Sequence, residues 1–108
     1  MEKFPVYAWK ESLDDSFDNY LIVRFVFVPE SGKILVFAVV QAVLIDNKLV
    51  EVVRFDYSQN EPLHVHRFYT KTCDKVYLDF NVNFLLIENL IIEIKDNWRK
   101  NLIKFRGE

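Results

Sequence analysis

Apolar positions along this chain recur in two periods, first every second residue and then every third or fourth. From Tyr20 to Val28 the odd positions Leu21, Val23, Phe25 and Phe27 are apolar, and the even ones carry Tyr20 and Arg24 among aliphatics. Period two predicts a strand. Pro29 to Lys33 follows as a turn, punctuated by Pro and Gly. Ile34 to Ile45 is apolar on both faces apart from Gln41 and rich in β-branched residues. Such a run predicts a strand buried on both sides, placed centrally. Asp46-Asn47-Lys48 is a hairpin signal, a third strand runs from about Leu49 to Tyr57, and a fourth from Leu63 to Thr70 after the turn Ser58 to Pro62. Phe4 to Trp9 reads as a short edge strand, since Pro5 argues against a central one. Lys10 to Asn19 reads as an acidic, turn-rich connection. Successive hairpins imply an antiparallel meander of about four strands.

After the Cys73 loop the period changes. Phe80, Phe84, Ile87, Ile91, Ile94, Trp98, Leu102 and Phe105 form one stripe of a long helix. Unbroken, it would extend about 39 Å. Asp79 is the candidate cap. Asn89 and Asn97 mark places where it could break, and Ile91 to Ile94 is β-branched and weakly helical. Val82, Leu85, Leu86 and Leu90 add a second apolar face, which calls for a cover. The N-terminal segment or a second copy of the chain would supply it, and a homodimer is the expectation. The fold class is α+β, with the helix packed on one face of the sheet and residues 1–108 forming a single domain.

Composition narrows the function classes. With 51% hydrophobic residues, a chain of 108 residues can bury a core without disulfides or metal. The net charge of −2 spreads no basic field over the whole protein, so nucleic-acid binding would need a local patch. Cys73 is the lone cysteine and reads as an ordinary loop thiol. The N-terminus lacks the basic region and apolar run of a secretory signal, and the longest apolar run is too short to span a bilayer. The cytoplasm is the expected location, with no membrane partner. Phosphate-binding and dinucleotide Gly-rich motifs and Cys-x-x-Cys pairs are absent, and no cofactor is expected.

Chemistry concentrates between Arg54 and Tyr69. The two histidines, His64 and His66, are spaced to share a face of a strand, as are Arg54 and Asp56 on the strand before it. Whether the two pairs face the same way depends on register. Arg67 and Tyr69 follow the histidines. Together these six residues make a candidate polar cluster. His64 and His66 are suited to moving protons near neutral pH, with Asp56 orienting. Arg54, Arg67 and Tyr69 are suited to holding a phosphate. The set suits cleavage of an RNA phosphodiester without metal. His64, His66 and Asp56 also offer three donors to a divalent metal, but no fourth ligand is evident, so the metal hydrolase is the weaker alternative. A strand His-x-His is often plain exposed surface, and Arg54 and Asp56 could be no more than an ion pair of small energetic worth.

The run Arg54-Phe55-Asp56, then His64-Val65-His66-Arg67-Phe68-Tyr69, then Asp79-Phe80 before a helix resembles the TumE-type family of small toxin proteins. In that family an Arg-Tyr-Asp strand end precedes a Gly- and His-containing turn, a His-x-His or His-Arg-His element and an Asp-Phe helix start. The turn here, Ser58 to Leu63, has neither Gly nor His. Arg54, Asp56, His64 and His66 are the matching positions. The resemblance implies the toxin half of a toxin–antitoxin pair, with an antitoxin protein as partner and RNA as target. The competing expectation is a non-catalytic dimeric interaction or regulatory protein.

Overall fold

The computed structural model describes residues 4–72 and 74–107, so Cys73 lies outside the described residues. Six strands are followed by one helix: β1 (Val6–Ser12), β2 (Asn19–Phe27), β3 (Ile34–Ile45), β4 (Lys48–Ser58), β5 (Glu61–Arg67), β6 (Lys75–Tyr77) and α1 (Phe84–Phe105). Each strand pairs antiparallel with its sequence neighbours, giving one sheet in the order β1-β2-β3-β4-β5-β6.

The meander is as expected, but the strand count is six rather than about four. The acidic segment after Trp9 stays extended through Ser12, paired with Tyr20, so β1 is a full edge strand. β6 has only three residues, all exposed, which is too short to show a period. β3 and β4 meet in a two-residue turn, with Asp46 and Asn47 at φ 51° and 64°. Positive φ at both central residues is the type I′ hairpin that the Asp-Asn-Lys signal implies.

The helix packs on one face of β3 and β4. Its buried residues are Ile87, Leu90, Ile94, Trp98 and Leu102, spaced by three or four. They meet Leu21, Val23, Phe37, Val39, Val53, Phe55 and Val65 of the sheet. The first turn corrects the sequence reading. The cap is Asn83, not Asp79: its side-chain oxygen accepts from the Leu86 N–H at 2.8 Å. Phe80 precedes the helix and is 62% exposed. Leu90 belongs to the core stripe instead of a second face, and the helix runs unbroken past Asn89 and Asn97. Tertiary burial outweighs the weak propensity of those residues.

Gln41, the one polar residue of β3, is fully buried. Its Nε2 donates to the Trp98 carbonyl at 2.9 Å, and its Oε1 accepts from Asn101 Nδ2 at 3.0 Å. The interruption in the apolar run is therefore the polar tie between sheet and helix. On the opposite face no helix among the described residues covers β3. There Ala38, Val40 and Ala42 are buried because longer neighbours flank them across the ladder: Arg24 and Asp56, Ile22 and Arg54, Tyr20 and Glu51.

Candidate functional site

Register decides which side chains meet. In the β4–β5 hairpin Arg54 pairs with His66 and Asp56 with His64. Directly opposed residues share a face, so all four lie on the face away from the helix. They line a cleft of about 280 Å³ together with Ser58, Glu61 and Lys75.

Arg67 and Tyr69 do not join them. Arg67 pairs with Val53 and, one residue past His66, points to the helix side. Tyr69 lies beyond the end of β5 and packs against the core on that same side. The six-residue cluster expected from sequence is thus four residues on one face and two on the other. The alternation of side chains along a strand separates them.

Two irregularities shape the cleft. Between Gln41 and Ala42 the β3–β4 register shifts, so Val52 is an extra residue on β4. Val52 and Val53 both enter the core, and Glu51 is turned onto the face of Arg54. Near the turn, the register shifts again between Asp56 and Ser58. Pro62, which has no N–H to give a ladder, sits at that step, and its carbonyl accepts from His64.

His64 is almost fully buried. Its Nδ1 lies 2.9 Å from the Pro62 oxygen. A carbonyl only accepts, so Nδ1 carries the proton. Nε2 then faces the cleft, 3.5 Å from Glu61 Oε1 and 4.0 Å from Asp56 Oδ2. The Tyr77 ring lies 5.8 Å from the imidazole. His66 is placed differently. It stacks on Phe68 with ring centroids 4.3 Å apart, and its Nε2 is shielded from solvent with no hydrogen-bond partner among the described residues. One histidine is held in a defined tautomer, and the other is packed as a flat ring.

Arg54 is bound on two sides, Nε to Asp56 Oδ2 at 3.0 Å and Nη1 to Glu51 Oε2 at 2.6 Å. Partial burial pulls its pKa down, but hydrogen bonds and charge from Asp56 and Glu51 outweigh that and the net shift is upward. Across the cleft, Lys75 Nζ bonds Glu61 Oε1 at 2.5 Å. That hydrogen bond holds the Glu61 carboxyl below its ordinary value and pushes the Lys75 ammonium up. The cleft therefore holds two cations and two carboxylates around His64, with Glu51 bound to Arg54 at its edge. Among the described residues, no group of three or more His, Cys, Asp and Glu could hold a metal ion.

Sequence reasoning missed Glu51, Glu61 and Lys75. The Val52-Val53 doublet breaks the alternation of β4 and is the one local sign of the bulge that turns Glu51 inward. Lys75 arrives on β6, whose three residues carry no signal of their own.

No helix among the described residues is long and apolar enough to cross a membrane. No curated protein and no solved structure matches the chain. One family does match, over residues 8–108, which spans the whole cleft, and the chain belongs to it: a domain of unknown function, DUF7718.

Proposed function

We propose that this chain is the toxin component of a toxin–antitoxin pair and that it cleaves RNA with His64 as the proton-transfer group. The observation that carries the reading is the fixed tautomer of His64. With Nδ1 tied to Pro62, the free nitrogen points into the cleft between two carboxylates. A base held that way takes a proton without first reorienting.

The reaction would need no metal. Nε2 takes the proton of a ribose 2′-hydroxyl, and the 2′-oxygen attacks the adjacent phosphorus. The 5′-oxygen leaves and recovers a proton from the imidazolium. The products are a 2′,3′-cyclic phosphate and a 5′-hydroxyl. Arg54 is the candidate for the phosphate, once the substrate displaces Glu51 or Asp56 from it. Asp56 supports the imidazolium, and His66 positions the strand through its stack on Phe68. Arg67 and Tyr69 face away and take no part. Growth of cells on induced expression tests the biological half. Arrest by the wild type, relieved by His64→Gln and by co-expression of a partner encoded beside it, is the expected result. Growth unaffected by an abundant, folded wild type would contradict it.

One observation favours a second reading, a non-catalytic dimeric interaction protein. The helix leaves β1 and β2 partly uncovered, and Tyr7, Phe25, Phe27 and Phe84 form a chain of ring contacts there. Tyr7 is 47% exposed and Trp9 41%. Sedimentation showing a dimer that Trp9→Ser dissolves, together with no activity on RNA, would favour it.

A further inference from the structure

Behind the sheet from His64, a second cleft of about 220 Å³ opens between β4, β5 and the C-terminal half of α1. Arg67, Lys100 and Lys104 line it, with Asn97, Asn101 and Tyr69. We propose that this cleft binds the phosphate of a nucleotide, either free or as part of an RNA strand.

Charge is the first argument. Three cations converge against a single lining carboxylate, Glu93, in a chain whose net charge is −2. None of the three makes an ion pair with a described carboxylate. The cations at the His64 cleft are the reverse: Arg54 and Lys75 are both taken up by carboxylates. A phosphate arriving here has no internal partner to displace.

Preorganisation is the second. Asn97, Lys100, Asn101 and Lys104 are spaced three and four apart, on one side of α1. Asn101 is held by Gln41 on the fully buried floor of the sheet. Lys104 Nζ lies 5.5 Å from the centroid of the Tyr69 ring, which steadies it beside the cleft.

The third argument is what adjoins it. An apolar groove of about 390 Å³ shares Phe55, Arg67 and Glu93 with the cationic cleft and continues along Leu78, Phe80 and Leu90. Cationic and apolar compartments side by side suit a ligand with an anionic end and a flat apolar one. The exposed Phe80 ring gives a base a stacking surface, and the Asn89 amide gives its edge a donor and an acceptor. This inference stands independently of the role given to His64.

The test is calorimetric titration of the full chain with a nucleoside monophosphate, the matching nucleoside and dodecanoate. The monophosphate is expected to bind wild type and His64→Gln alike. Lys100→Ala with Lys104→Ala is expected to weaken it about tenfold or more, since two exposed charge pairs are lost. Arg67→Gln should weaken it too, and the bare nucleoside should bind far less well. A short single-stranded RNA, titrated into the His64→Gln protein to prevent turnover, identifies the source. Binding tighter than the monophosphate that Lys100→Ala with Lys104→Ala weakens points to a strand in this cleft, and equal binding, or tighter binding indifferent to those lysines, points to a free nucleotide here. For the strand, loss of the two lysines should reduce the salt slope of log K by about 1.4. Absence of saturable monophosphate binding, equal binding by the lysine variant at unchanged Tm, or a preference for dodecanoate would overturn the proposal.

Discussion

Glu51 and Arg54 are three residues apart on one strand and still share a face, 2.6 Å apart. In a regular strand such residues point to opposite sides. The bulge at Val52 removes the half-turn between them, and the result is an arginine held by two carboxylates.

That clamp leads to the first prediction. If Arg54 must turn to a phosphate, Glu51 competes with the substrate. Glu51→Gln is expected to raise kcat/KM on RNA about two- to fivefold, the worth of one partly exposed ion pair. Steady-state kinetics on an oligoribonucleotide measures it. A fall in kcat/KM would mean that Glu51 supports the reaction.

The two histidines should respond oppositely to substitution. His66 is stacked flat on Phe68, so His66→Phe keeps the stack and removes a shielded nitrogen that has no hydrogen-bond partner among the described residues. Its effect on stability is expected to stay within about 1 kcal/mol, with activity largely retained. Chemical denaturation beside the RNA assay checks both. Loss of activity in a stable His66→Phe protein would make His66 a second proton-transfer group.

Gln41 is where strand and helix are tied. Gln41→Leu leaves the Trp98 carbonyl and the Asn101 amide without their buried partner. The Trp98 carbonyl keeps its intrahelical partner and Asn101 is half-buried, so the expected cost is about 1–3 kcal/mol in all, and the lost contacts should speed amide exchange first in the C-terminal half of α1. Uniform exchange along the helix would place the tie elsewhere.

Much of this arrangement is legible in the sequence. β3 announces its central place by being apolar on both faces, and the helix announces its stripe. The four matching residues Arg54, Asp56, His64 and His66 were identifiable from type and spacing. Their shared face was not, because a turn of five residues does not set register and a slip of one reverses every side chain. Arg67 falls outside the cluster because neighbours on a strand diverge, and His66 holds the cleft side. Asp79 and Asn83 both carry side chains able to cap, and spacing alone does not choose between them. Starting at Asn83 keeps Ile87, Leu90 and Ile94 facing the sheet.

The Glu61–Lys75 bridge has a definite pH dependence. The depressed Glu61 carboxyl contributes stability that is fully present above its ordinary value of 4.5 and lost as pH falls through the lower folded value. The raised Lys75 ammonium contributes below its ordinary 10.5 and loses that contribution as pH rises through the higher folded value. In Lys75→Ala the Glu61 carboxyl is expected to titrate closer to 4.5, as carboxyl carbon shifts would report. An unmoved titration would show that Lys75 does not hold it.

The most direct measurement is RNA cleavage by purified wild type and His64→Gln, run with excess chelator and with circular dichroism to confirm that both are folded. Wild type is expected to give 2′,3′-cyclic phosphate ends, and His64→Gln to lose about 10²–10⁴-fold, the usual worth of a positioned acid–base group. Equal rates in the two proteins, or no cleavage by a folded wild type, would contradict the assignment of His64 as the proton-transfer group.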